Sequence, residues 1–303
     1  MKNHKKNKTP VTPSKPSGCY EFITGQELAK DILEKTETVY AQKEPPPGLN
    51  LLPGCLVPGA VTVVCALTSE NIRMYMASLI LEAQDKLLNP AVFLPDYSVE
   101  EFALKAVCVR AGLPSFTVRR GYIAREDWPK LTKAAGELSE KGIFLYRRSI
   151  IQSRDIARET EPLQAALNKQ GKSLGVVIVD SLNYVKPYEW GEITMPELRA
   201  MAKKLNLPVI CSFALKSTPL IHEGLLQLGD IRLAGLDESD VDRVFYLRSP
   251  SNYGECDFAQ RWEVELRRLC PAIGTSDYSR LTMDRETGLF KSDMPMPEEH
   301  ACF

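Results

Sequence analysis

An α/β fold, with a mostly parallel sheet flanked by helices and an antiparallel extension at the C-terminal end, is predicted by three features of this sequence. From Gly59 onward, short runs that are apolar at every position alternate with helical patterns. Runs of that kind mark strands buried on both faces, as in a parallel sheet with helices on either side. After about residue 243 the helical patterns stop and strand-like stretches follow one another directly. At 303 residues and 44% hydrophobic, the chain is also long and apolar enough to bury the core such a sheet needs.

The elements follow in order. Residues 1–18 hold Lys2, Lys5, Lys6, Lys8 and Lys15 with three prolines and no acid, and read as a disordered basic tail. Lys5 and Lys6 are its candidate contacts to nucleic acid, although such tails are also often only solvated ends. Residues 19–48 read as a helical arm and linker: Thr24-Gly25-Gln26-Glu27 resembles a capping box, and Pro45-Pro46-Pro47-Gly48 breaks the helix. The main domain is expected over 49–292, with a flexible tail at 293–303. Its strands are predicted at Val61–Ala66, Ala91–Leu94, Gly142–Leu145, Val176–Val179 and Pro208–Cys211. Helices are expected around 72–88, 98–111, 125–139, 153–168 and 195–204. Val244–Leu247, Trp262–Leu266 and Tyr278–Met283 are expected to build the antiparallel extension.

Bulk properties exclude several functions. A formal net charge of −1 gives no global attraction to nucleic acid, so any such binding needs a local patch. No stretch approaches the roughly 18 apolar residues of a membrane span, and the lysine-rich start lacks the apolar stretch of a signal peptide. The eight cysteines include no C-x-x-C pair, which argues against a zinc site and fits a reduced, cytoplasmic protein.

The candidate chemistry lies where the first strand meets the first helix. Strand, short loop and helix is the setting in which a glycine-rich loop cradles phosphate. Here the sequence is Cys65-Ala66-Leu67-Thr68-Ser69-Glu70-Asn71-Ile72-Arg73-Met74, with no glycine and no Lys-Ser/Thr pair. Glu70 opposes an anion, whereas Arg73 could itself grip a phosphate. The alternative is a plain helix start capped by Thr68 or Ser69. Asp180 ends the apolar strand Val176–Val179, where an acid can hold Mg²⁺. Asp96 follows the strand at Ala91–Leu94 and could act as a base toward water or cap the helix beginning near Ser98.

Taken together, order and spacing resemble the C-terminal, RecA-like motor domain of the DnaB family of replicative helicases, from about Pro47 to Phe290. Pro58-Gly59 before the first strand, Gly121 with Glu126-Asp127-Trp128, and the strand ending at Asp180 each match a family segment. The most specific match is Asp230-Ile231-Arg232-Leu233-Ala234-Gly235-Leu236-Asp237-Glu238-Ser239-Asp240-Val241-Asp242. It resembles the family's D-L-R-x-x-G-x-x-E-x-D-x-D signature, and Ala272-Ile273-Gly274-Thr275 resembles its Pro-Ile-Gly-Thr. The resemblance implies a RecA-like P-loop NTPase fold, ATP and Mg²⁺ as cofactors, a hexameric ring, and Arg232 and Gly235 near a DNA channel. The family's N-terminal domain is expected to have no counterpart here.

The departures fall on the positions that the resemblance marks as catalytic. Asn71-Ile72-Arg73 stands for Gly-Lys-Thr, Asp96 for the catalytic glutamate, and Ala214 for the glutamine that senses the γ-phosphate. Arg267-Arg268-Leu269 stands for the Lys-x-Arg that reaches a neighbour's nucleotide, and Leu233 for an acidic channel residue. Ser69, Asn71, Ile72 and Arg73 are therefore a degenerate nucleotide loop, and Asp96 and Asp180 the residual catalytic set, with Asp180 the Mg²⁺ ligand of an active enzyme. Three readings follow. The chain is a non-catalytic, ATPase-deficient relative that binds DNA, a replicative helicase or its loader. Alternatively it is an active 5′-to-3′ helicase with Arg73 replacing lysine, or a structural component of a ring. In the first reading Ile72→Lys is expected to change nothing.

Overall fold

The computed structural model describes residues 48–67, 69–148, 150–186, 194–215, 241–248, 261–269 and 278–292, with Lys30, Ile231 and Leu236 singly. The chain divides into two units, Met1–Pro46 and Pro47–Phe303, and the sheet with its helices belongs to the second. Lys5, Lys6, the arm apart from Lys30 and Gly48, Arg232, Gly235 and the segment Ala272–Thr275 lie outside the described residues.

One sheet organises the unit. Its strands are β1 (Val61–Ala66), β2 (Ala91–Phe93), β3 (Phe144–Tyr146), β4 (Val177–Val179), β5 (Val209–Ala214), β6 (Arg243–Arg248), β7 (Arg261–Leu269), β8 (Tyr278–Asp284) and β9 (Phe290–Ser292). They lie in the order β3-β2-β4-β5-β1-β6-β7-β8-β9. The first six in that order pair in parallel and the last three add antiparallel strands. Val244–Leu247 departs from expectation. Its strand β6 runs parallel to β1, with Val63 opposite Val244, and meets β7 antiparallel on its other side. The antiparallel extension therefore begins one strand later, because periodicity marks a strand and says nothing of its partner.

Among the described residues the helices flanking the sheet are α1 (Ser69–Asp85), α2 (Val99–Ala111), α3 (Ser115–Arg119), α4 (Trp128–Glu140), α5 (Ser153–Lys169) and α6 (Thr194–Leu205). The start of α2 follows its sequence: Ser98 accepts from the Glu101 amide at 3.1 Å while the Glu101 carboxylate accepts from the Ser98 amide, and Gly112 closes the helix at φ 68°. The first helix differs from expectation at both ends. It starts three residues early, at Ser69, and stops at Asp85; Leu87 lies past its end at φ 57° and is exposed.

Burial explains the all-apolar strands. Along β1, Val61, Val63 and Cys65 pack in a cluster with α5 and α6, while Val64 and Ala66 pack in another with α1 and α2. Both faces are thus covered, and every residue of β1 is buried. A fully buried valine or isoleucine contributes about 1.5–3 kcal/mol, so each such strand is a large part of the fold's stability. Gly59, at φ 75°, makes the turn into β1 and donates its amide to the Leu207 carbonyl at 3.2 Å.

Candidate functional site at the carboxyl ends of the parallel strands

In open α/β sheets, ligands bind beyond the carboxyl ends of the strands. The sequence-predicted residues Ser69, Asn71, Ile72, Arg73, Asp96 and Asp180 all follow such ends, after β1, β2 and β4. The β1–α1 connection is only Leu67 and Thr68, and Thr68 lies outside the described residues. Ser69 is already the first helical residue, and Ser69 and Glu70 are exposed. The residues matched to Gly-Lys-Thr are therefore part of helix α1 and do not form a wrapped loop.

Ile72 stands at the position that the resemblance gives to the phosphate-loop lysine. Its side chain is 0% exposed and belongs to the core cluster that includes Tyr75, Met76 and Phe102. In α1 it continues the apolar face that packs on the sheet, so Ile72→Lys would place an ammonium in the core instead of changing nothing.

Arg73 turns the other way. Its guanidinium pairs with the Asp96 carboxylate and lies over the Tyr97 ring, 5.6 Å from the centroid. The Asp96 side chain is 8% exposed and the Arg73 side chain 36%. Asp96 is thus engaged by Arg73, and the cap of α2 is Ser98.

Asp180 sits at the end of β4, fully buried. Tyr97 donates its hydroxyl to Oδ2 at 2.8 Å, and Ser212, inside β5, donates to Oδ1 at 2.6 Å. Both carboxylate oxygens, the atoms that would hold Mg²⁺, already accept hydrogen bonds. Burial raises the Asp180 pKa; the Ser212 and Tyr97 hydrogen bonds, then the charges of Lys105 and Arg73, act in the opposite sense. Burial lowers the Lys105 pKa, which the Asp180 charge partly opposes. Burial also raises the Tyr97 pKa, with the Asp180 charge next. The result is a closed network of Arg73, Asp96, Tyr97, Asp180 and Ser212 with Lys105 beside it. Among the described residues, no group of three or more His, Cys, Asp or Glu side chains is placed to hold a metal.

The other matched positions among the described residues have these surroundings. At Ala214 the Asn183 side-chain amide donates to the carbonyl at 2.9 Å and its oxygen accepts from the amide at 2.8 Å. Arg267 donates to Glu265 at 2.8 and 3.0 Å and lies over Tyr278. Leu269, in the place of the arginine finger, packs against the second core cluster. Sequence reasoning missed Tyr97, Lys105, Asn183 and Ser212. The available signals were an aromatic directly after Asp96 and a serine following the apolar run Val209–Cys211. Where the resemblance places a Mg²⁺–nucleotide, the lysine position is core, the β1–α1 connection is two residues long, and the carboxylates carry ion-pair or hydrogen-bond partners.

Residues 53–271 match the family described as the DnaB-like helicase C-terminal domain, well over half of the chain. The replicative DNA helicase DnaB of Geobacillus stearothermophilus is 29% identical over 177 residues, 55% of this chain and 38% of that protein. The replicative DNA helicase DnaC of Bacillus subtilis (strain 168) is 28% identical over 173 residues, 54% and 37%. The chain thus spans well under half the length of these curated relatives. Among solved structures, one described as an ATPase domain superposes with a TM-score of 0.74 over 88% of this chain and 99% of that one. A DnaB-like replicative helicase, described with its interactions with primase, gives 0.70 over 86% and 65%. Both are 17% identical, so they show the fold alone. With its RecA-like sheet and the match over 53–271, the chain belongs to the DnaB-like helicase C-terminal domain family.

Proposed function

We propose that this chain is a DnaB-like replication protein that has lost ATP turnover and acts as a non-catalytic binding or regulatory relative. One observation carries the reading: at the lysine position of the phosphate loop, Ile72 is buried in the core, so α1 is built as an ordinary helix from Ser69. The Arg73–Asp96 pair and the hydroxyls on Asp180 support it, because they supply internally the charge and hydrogen bonds that a bound nucleotide and Mg²⁺ would otherwise meet. ATP and Mg²⁺ therefore bind weakly or not at all. Its partners are DNA, a replicative helicase or its loader, and copies of itself in a ring of the family's hexameric kind. The buried free thiols of Cys55, Cys65, Cys108 and Cys211 support a reducing, cytoplasmic setting. No helix among the described residues is long and apolar enough to cross a membrane.

The active-helicase reading rests on Arg73 reaching a phosphate, and it requires that arginine to leave Asp96. Titration with a fluorescent ATP analogue and Mg²⁺, read by anisotropy, separates the two. The expected result is no saturable binding up to millimolar nucleotide. Micromolar binding that is lost in Arg73→Ala, with hydrolysis lost in Asp180→Ala, would overturn the non-catalytic reading.

A further inference from the structure

A cavity of about 660 Å³ lies against the far half of α1 from the nucleotide corner. From Arg73 to Asp85, which lines it, the helix rises about 18 Å at 1.5 Å per residue. Part of the lining is apolar: Leu51, Leu81, Val109 and Phe290, all buried. The polar part is held in place. Arg110, with its side chain 9% exposed, donates to Asp85 and to the Gln84 side-chain oxygen, both at 2.8 Å. Gln84 in turn donates to the Leu138 and Lys141 carbonyls at 2.9 and 3.0 Å. Glu82 accepts from the amides of Asn50 and Leu51 at 2.6 and 3.0 Å. Side chains fixed in this way form a site before any ligand arrives, and the volume is that of a small-molecule pocket.

The charges of the lining are matched except for one. Glu82 pairs with Lys86 at 3.2 Å, and Asp85 with Arg110 and Lys141. Glu137 lies 3.6 Å from Arg110 and 3.8 Å from Lys133. Lys291, on β9, is exposed, and its ammonium has no ion-pair or hydrogen-bond partner among the described residues. The charge left over in the lining is therefore one ammonium close to an apolar surface. Strand β9 is the last of the sheet, but the Phe290 amide donates to the Ser78 hydroxyl at 3.1 Å, so that group is not open to an added peptide strand. An apolar body with one anionic head matches what remains.

We propose that this cavity binds a small amphipathic monocarboxylate, its apolar body against Leu51, Leu81, Val109 and Phe290 and its carboxylate paired with Lys291. The site is separate from the Asp180 network and from the lysine tail, and it stands whether or not the chain turns over ATP.

The test is isothermal titration calorimetry of the full chain with octanoate, beside octan-1-ol, which lacks the charge, and acetate, which lacks the apolar body. Octanoate should saturate, octan-1-ol should bind about fivefold more weakly, and acetate should give no saturable heat at the same concentrations. Lys291→Ala should weaken octanoate about fivefold and leave octan-1-ol unchanged, and Lys291→Arg should restore most of the loss. Asn50→Trp, at an exposed residue of the lining, should block both ligands. Both positions are exposed, so the variants' melting curves should match the parent. Three outcomes overturn the proposal: no saturable heat with octanoate, octan-1-ol binding as tight as octanoate, or full octanoate affinity in Lys291→Ala or in Asn50→Trp. The last would place any octanoate binding somewhere else on the chain.

Discussion

The carboxyl ends of β1 and β4 lie on one edge of the same sheet with only β5 between them, yet they depart from the family pattern in different ways. Behind β1 two residues connect strand to helix, and Ile72 lies in the core. Behind β4 the acid is still in place, with hydroxyls on both oxygens. A phosphate cradle depends on backbone that glycine permits, and without glycine the helix extends back toward the strand. A carboxylate at a strand end needs only the strand and a set of donors, and Tyr97 and Ser212 supply those.

The largest effect that would break this comparison is at Ile72. Ile72→Lys puts an unpaired charge in a fully buried position and should cost about 3–5 kcal/mol, read as a lowered midpoint in urea. A variant as stable as the parent that also gains ATPase would mean that the helix start converts readily into a loop.

At Asp180 a pair of substitutions sharpens the contrast. Asp180→Ala strands two buried hydroxyls and should cost about 1–3 kcal/mol, while Asp180→Asn keeps an acceptor and should cost less. The pH dependence has a definite sign. Because the folded pKa is raised, the native state holds more protons than the unfolded chain as pH falls from neutral toward about 4. The parent should therefore gain stability relative to Asp180→Asn as pH drops through the folded value, and the penalty for ionised Asp180 is fully present above it. Denaturation midpoints for both proteins across that range would test this, and parallel curves would contradict it.

The smallest effect is at the end of β5. Asn183→Ala removes both hydrogen bonds to Ala214 and should cost about 1 kcal/mol. Hydrogen exchange at the Ala214 amide should rise while amides in the middle of β1 stay protected.

Most of the sheet was legible because its strands are apolar at every position. Val61–Ala66 is read residue for residue, and the later strands shift by one to three positions at their ends. The start of α1 was not legible: Ser69, Glu70 and Asn71 carry no apolar periodicity, so the pattern begins only at Ile72. Strand β9, with three residues, and α3, with five, are too short for a periodic signal. In the site, Asp96, Arg73 and Asp180 could be singled out one by one, but their arrangement could not. Tyr97 and Ser212 reach Asp180 across 83 and 32 residues of chain, and such pairings come from the sheet order.

The two outer strands of the sheet, β3 and β9, are each three residues long. Each therefore presents few unpaired backbone groups to a passing chain, which limits edge-to-edge aggregation between folded molecules. It also constrains assembly, since rims this short offer little for a neighbouring copy to extend as a continuous sheet. A ring of such units is expected to be held by side-chain surfaces, so its interfaces can be changed by substitution without disturbing the strands beneath.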